Sequence, residues 1–173
     1  VWLPSKLVEA VKCLESSGAD GYSSSVTAIW PDGRRRHIAQ SGCTRAFDFL
    51  FEGAGQGCTF VMRPGLIRGV GSFIRDNNAL VSEFYYHDWL VYLLARAWSA
   101  DWFFDDRSYI LYRQHQTNDT GARGGLSATL FRFQKIRNGW YSKQLSVACE
   151  IYRVASGGKY PEPQGMLPKI YGG

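Results

Sequence analysis

The sequence predicts an α/β fold around one core, on three observations. Runs rich in β-branched, aromatic and hydroxyl residues (Gly21 to Trp30, Cys58 to Met62, Trp102 to Phe104, Ser108 to Tyr112) alternate along the chain with segments of helical period. Proline, aspartate and glycine signals mark most of the boundaries between them. The length of 173 residues, 45% apolar and 20% charged, is that of one ordinary globular domain, able to bury roughly 70% of its unfolded surface. Disorder, collagen and coiled coil are excluded. The longest near-apolar run, Trp89 to Trp98, is half the ~20 residues of a bilayer crossing and contains Arg96.

Taken in order, Pro4 sits where a first helical turn begins, and Leu7, Val11 and Leu14 fall at i, i+4 and i+7, which predicts an amphipathic helix ended by Ser17-Gly18. Gly21 to Trp30 reads as a strand, and Pro31-Asp32-Gly33 as the turn after it. Arg34, Arg35 and Arg36 then form a solvated loop or strand edge. Thr44 to Phe51 is briefly helical. Gly53, Gly55 and Gly57 form a loop feeding a buried strand, Cys58 to Met62. Pro64 opens a helix with Leu66, Ile67, Val70, Phe73 and Ile74 on one broad face, closed by Asp76-Asn77-Asn78. Asp88 is suited to cap a helix from Trp89 to about Ser99, apolar almost all round and therefore buried. Trp102 to Phe104 and Ser108 to Tyr112 read as two short strands separated by Asp105-Asp106-Arg107. Amphipathic helices follow, from Leu126 to Ile136 and from Trp140 to Val154, and the proline- and glycine-rich tail predicts extended or disordered chain.

The four cysteines, Cys13, Cys43, Cys58 and Cys149, form no CxxC pair, which points to reduced thiols in a cytosolic setting. Charge is unevenly placed. Residues 1–106 carry ten Lys and Arg against twelve Asp and Glu, and residues 107–173 carry ten against three. A basic final third implies an anionic partner: nucleic acid, a phosphorylated small molecule or an acidic membrane face. No RNP, KH or zinc-finger pattern is present, and most aromatic residues fall at periodic core positions, so nucleic acid is not the expected partner.

Two places can carry chemistry. A carboxylate at a helix start, such as Asp88, either caps the helix or serves as a general base; His87 and Trp89 flank it, and glycine loops leave room for a ligand. At the end of the second predicted strand, Arg113 and His115 share one face if the chain stays extended, offering a permanent cation and an imidazole to phosphate oxygens or a metal. The pair is equally readable as an ordinary strand end. Asp105-Asp106 are candidate metal ligands or a solvated turn. The cations beside the apolar face of the Leu126 helix fit either a membrane surface or a solvated outer face.

The strings Trp2-Leu3-Pro4-Ser5-Lys6-Leu7, Gly57-Cys58-Thr59-Phe60-Val61-Met62, His87-Asp88-Trp89-Leu90 and Ile110-Leu111-Tyr112-Arg113-Gln114-His115, with Asn118 and Gly121 behind, resemble in order and spacing the later half of family-2 glycosyltransferases, particularly rhamnosyltransferase-like members. The resemblance implies a partial GT-A nucleotide-diphospho-sugar transferase sandwich. Its acceptor-side half would be residues 1–121, followed by C-terminal amphipathic helices over 122–156 and the tail over 157–173. It implies an inverting transferase moving a sugar from a nucleoside-diphosphate donor to a glycan or lipid-linked acceptor. Asp88 falls where such enzymes place the base; Gly57, Cys58, His87 and Trp89 fall in the acceptor and sugar pocket. Arg113 and His115 fall where the donor diphosphate and a divalent metal, Mg or Mn, are met, His115 as metal ligand. The family's nucleotide-binding strands and Asp-x-Asp motif precede the Trp-x-Pro-x-Lys-Leu segment. Only Val1 precedes it here, so the resemblance implies a fragment that binds nucleotide sugar weakly by itself. A cytoplasmic enzyme at the membrane face is the expected setting. The competing expectation is a non-catalytic basic module on anionic membrane or nucleic acid.

Overall fold

A computed structural model of the chain describes residues 1–40, 42–114 and 139–158. Helix α1 (Lys6–Ser17) leads into strand β1 (Gly21–Ile29), a turn and strand β2 (Arg35–Ile38). Two single 3-10 turns, Asp48–Leu50 and Gly57–Thr59, precede the short strand β3 (Val61–Met62). Helices α2 (Pro64–Asp76), α3 (Asn78–Val81) and α4 (His87–Ala97) follow, then strand β4 (Trp102–Arg113) and helix α5 (Trp140–Ala155). The mixed α/β class is as the sequence predicts, and a partial nucleotide-sugar transferase fold is compatible with it.

β1 is the hub of the sheet. β4 runs parallel to it along its whole length, from Gly21 beside Trp102 to Ile29 beside Arg113. Its other edge is shared by two antiparallel partners, β3 at Gly21 and Tyr22 and β2 at Val26 to Ile29. A strand paired on both edges reads as a buried run, and β1 is buried from Gly21 through Val26. Two of its serines are accommodated by local bonds: the Trp102 indole N–H donates to Ser23 Oγ at 3.0 Å and the Gln40 N–H to Ser25 Oγ at 3.3 Å. Residues 1–3 extend the sheet beyond β4, with Trp2 bridging Ile110 and the Leu3 N–H donating to the Tyr109 carbonyl at 2.9 Å.

Four elements differ from their sequence expectation. α1 ends as predicted, with Gly18 in the left-handed conformation donating to the Leu14 carbonyl. Its buried face, however, is Lys6, Ala10, Cys13 and Leu14, while Leu7, Val8 and Val11 are exposed. Small side chains at Ala10 and Cys13 let the helix lie close on Ala19 and Tyr22. The predicted strand from Cys58 shrinks to Val61–Met62, because Gly57, Cys58 and Thr59 turn, the Phe60 N–H returning to the Gly57 carbonyl. In α2 only Leu66 and Val70 are buried, and Ile67 faces solvent. The two strands expected around Asp105-Asp106-Arg107 are one. Ser24 pairs with Asp105 and Ser25 with Ser108, so Asp106 and Arg107 are extra residues of a bulge in a continuous β4.

That bulge is held by Asp105, which is buried rather than part of a solvated turn. Arg107 grips it with Nε and Nη2, both at 2.9 Å, and the Tyr22 hydroxyl donates to it at 2.9 Å. Burial raises the Asp105 pKa, but these donors outweigh it and hold the carboxyl below its ordinary value. A carboxylate whose folded pKa is depressed contributes stability that is complete above its unfolded pKa of about 4 and is lost as pH falls below it. Urea midpoints measured from pH 7 to pH 3 are expected to fall below pH ~4, and to fall less steeply in Asp105→Asn. An unchanged slope in that variant removes the assignment.

α4 is buried as expected, through Trp89, Leu90, Tyr92, Leu93, Leu94, Ala95 and Ala97. α5 covers it and is tied by Gln144, whose Oε1 accepts the Tyr85 N–H at 2.8 Å and whose Nε2 donates to the Glu83 carbonyl at 3.1 Å. The helix predicted over 126–136, with His115, Asn118 and Gly121, and residues 159–173 of the tail lie outside the described residues. Among the described residues all four cysteines are free thiols, and no helix is long and apolar enough to cross a membrane.

Candidate active site

The site is built where the glycine loop meets the start of α4. The Asp48–Leu50 turn is pinned to that helix by a carboxylate. Asp48 Oδ1 accepts from Arg96 Nη1 at 2.8 Å and from the Phe49 N–H at 2.7 Å, and Oδ2 accepts from the Tyr92 hydroxyl at 2.8 Å and the Arg45 N–H at 2.9 Å. The Trp89 indole N–H adds a bond to the Phe49 carbonyl at 2.6 Å. Residues 51–57 leave this anchor and pass over the first turn of α4.

Asp88 is not the N-cap. α4 begins one residue earlier, at His87, with Tyr86 in the capping position and making no side-chain capping bond. Asp88 is thus in the first turn, where a carboxylate is favoured by the helix dipole. Its Oδ1 accepts the Trp89 N–H at 2.9 Å, and its Oδ2 accepts the Gly57 N–H at 3.4 Å. Gly57 is required there by space: a Cβ would meet Asp88 Cβ at 3.1 Å and His87 Nε2 at 3.3 Å. Gly57, His87 and Asp88 are therefore brought together in the fold.

Asp88 opens into a cavity of about 290 Å3 lined also by Gln40, Phe51, Glu52, Gly53, Gly55, Gln56, Tyr86, Trp89 and Tyr141. Among these lining residues there is no cation. Two carboxylates and two amides can hydrogen-bond hydroxyl groups, and three ring side chains besides Trp89 offer apolar faces. Gln40 Nε2 donates to Gln56 Oε1, closing the wall opposite α4. Gln40, Gln56 and Tyr141 come from a loop after β2, the glycine loop and α5, and no local signal in the sequence joins them.

Trp89 contributes a buried wall, its ring against Phe84 at 4.9 Å between centroids. Cys58 points elsewhere in chemistry: exposed, its thiol has a pKa raised by desolvation, with the Lys6 ammonium pulling it down and the Asp88 carboxylate adding to the rise. A thiol held protonated is a poor nucleophile. Arg113 stands at the end of β4, exposed, while Gln114 turns inward. The second half of that predicted pair, His115, is outside the described residues. Among the described residues no group of three or more His, Cys, Asp or Glu side chains converges as a metal site.

No protein-family model and no solved structure matches the chain. One curated relative does: the chain is 34% identical over 146 residues, 84% of its own length, to a dTDP-rhamnosyl transferase, RfbG, of Shigella flexneri. It spans about half the length of that relative, 50% of it. Across those 146 residues the sequence is similar to that of a rhamnosyl transferase.

Proposed function

We propose that this chain supplies the acceptor side of an inverting glycosyltransferase, which moves a sugar from a nucleoside-diphosphate sugar to an acceptor hydroxyl with Asp88 as general base. The observation that carries the reading is the chemistry of the cavity onto which Asp88 opens. Carboxylates and amides without a cation favour a neutral polyhydroxyl molecule and repel a phosphate. The Phe51, Tyr86 and Tyr141 rings suit the apolar face of a sugar. At about 290 Å3 the cavity is at the small end of the roughly 300–1,000 Å3 of ligand pockets, room for an acceptor sugar rather than a whole nucleotide sugar. The acceptor is a glycan, free or lipid-linked, and the relative's name makes a dTDP-rhamnosyl group the first donor to try.

In this mechanism the acceptor hydroxyl lies on Asp88, which takes its proton as the oxygen attacks the anomeric carbon from the face opposite the leaving diphosphate. The Gly57 N–H and the first turn of α4 hold the carboxylate in position. Inversion is read from the anomeric configuration of the product, and the base from Asp88→Asn. Arg113 and His115 belong to the donor side of the proposal, with His115 as ligand of a divalent metal, Mg or Mn, that compensates charge on the diphosphate. Chelation by EDTA is expected to abolish transfer, with Mg or Mn restoring it, and His115→Ala is expected to raise the metal concentration needed for half-activation. A transferase indifferent to chelation removes the metal and His115 from the proposal and leaves Asp88 in it.

A further inference from the structure

Lys6 is a cation in an unusual place. It is 1% exposed, and its Nζ has no hydrogen-bond acceptor among the described residues. What it touches is the face of Trp2, 4.1 Å from the ring centroid, and it lies within electrostatic reach of Cys58. A buried ammonium with no acceptor is strongly unfavourable, and such groups in native folds mark a missing partner. The cation–π contact offsets only part of that.

Its position narrows what the partner is. Lys6 is the first residue of α1, a helix of 12 residues, and helical side chains lean toward the helix N-terminus. The ammonium is held against Trp2, which precedes the helix, and the Ser5 side chain at the N-cap makes no bond to the first-turn N–H groups, of which that of Lys6 donates to the Leu3 carbonyl. The bridge from Trp2 to Ile110 sets this entrance beside the carboxyl-terminal half of β4, which is parallel to β1. Ligands of open α/β sheets bind at that end, and helix N-termini there take anions. Trp2, whose ring lies against the ammonium, is itself 51% exposed. Cys58 lies within electrostatic reach of both the Lys6 ammonium and the Asp88 carboxylate.

We propose that Lys6 and the N-terminus of α1 form a phosphate seat for the diphosphate of the sugar donor, apart from the cavity at Asp88, whose lining holds no cation. The assignment rests on the transferase reading. It divides the charges as the reaction needs them: anionic groups around the acceptor, a cation and a helix dipole around the leaving group. As the acceptor oxygen bonds to the anomeric carbon, the bond from that carbon to the phosphate oxygen breaks. Its electron pair stays on the diphosphate, where the ammonium meets it, and the acceptor proton goes to Asp88.

The test is thermal unfolding of the chain with and without inorganic pyrophosphate, in wild type, Lys6→Met and Lys6→Arg. Pyrophosphate is expected to raise the wild-type Tm, to raise that of Lys6→Arg less, and to leave Lys6→Met unmoved. Without ligand, Lys6→Met should melt at or above the wild-type temperature, because an apolar chain replaces an unpaired charge. Four results overturn the proposal: no shift in wild type, an equal shift in Lys6→Met, a shift matched by sulfate, or a Lys6→Met chain that fails to fold. No sugar is transferred in this experiment, so its failure leaves the Asp88 assignment to be decided by turnover.

Discussion

Replacing Asp88 by Asn is expected to lower turnover of an active transferase containing this chain by about 10^2 to 10^4-fold, the usual range for loss of a positioned base. The substitution removes the proton acceptor and little else. Asn keeps an oxygen for the Trp89 N–H at the Oδ1 position, the contact to the Gly57 N–H is already long at 3.4 Å, and the side chain is only half-buried. The variant should therefore unfold within about 1 kcal/mol of wild type, as substitutions away from buried networks do. Turnover measured at saturating donor and acceptor, beside a denaturant titration, separates the two quantities. A well-folded Asp88→Asn enzyme with near-normal turnover would falsify the base assignment, and Glu52, the other carboxylate on the cavity wall, would then be the residue to replace.

The largest loss of stability is expected at Asp48. Its side chain is 4% exposed and that of its partner Arg96 20% exposed, and the carboxylate accepts four hydrogen bonds from two backbone N–H groups, a tyrosine and an arginine. Asp48→Ala leaves the buried Tyr92 hydroxyl and the partly buried Arg96 guanidinium without the carboxylate that pairs them. Breaking one side of a buried ion pair costs about 3–5 kcal/mol, a large fraction of the ~5–15 kcal/mol that a domain of this kind has. Because the same carboxylate fixes the turn from which residues 51–57 depart, loosening it should also widen the cavity at Asp88 and raise the KM for acceptor. Chemical denaturation of Asp48→Ala and Asp48→Asn decides the matter: a loss below about 1 kcal/mol in the alanine variant shows Arg96 and Tyr92 to be satisfied elsewhere.

Features written in a few consecutive residues were legible. Gly18 ends α1, Pro31-Asp32-Gly33 turns β1 toward β2, and the unbroken apolar surface of Trp89 to Ala97 marks a buried helix. Gly57 beside His87-Asp88 was legible because both strings carry a family pattern. What escaped depends on partners far along the chain. The face that α1 buries is chosen by how closely Ala10 and Cys13 approach the sheet, and Lys6 is buried against every preference of its residue type. The bulge in β4 reads as a loop because Asp105-Asp106-Arg107 is polar, and the Tyr22 hydroxyl that joins Arg107 in making a buried aspartate tolerable comes from β1, 83 residues earlier. The cavity at Asp88 takes Gln40, Gln56 and Tyr141 from three segments whose meeting is a tertiary event.

The parallel pairing of β1 with β4 has a consequence for synthesis of the chain. Gly21 must wait for Trp102, and Ile29 for Arg113, before one whole edge of the central strand is satisfied. Until the ribosome has released β4, β1 presents a row of unpaired amides and carbonyls flanked by apolar side chains, the kind of edge that recruits other nascent chains. Such long-range closure makes folding slow. Truncations that stop short of residue 113 should accumulate in inclusion bodies, whereas a soluble product must carry β4 to its end.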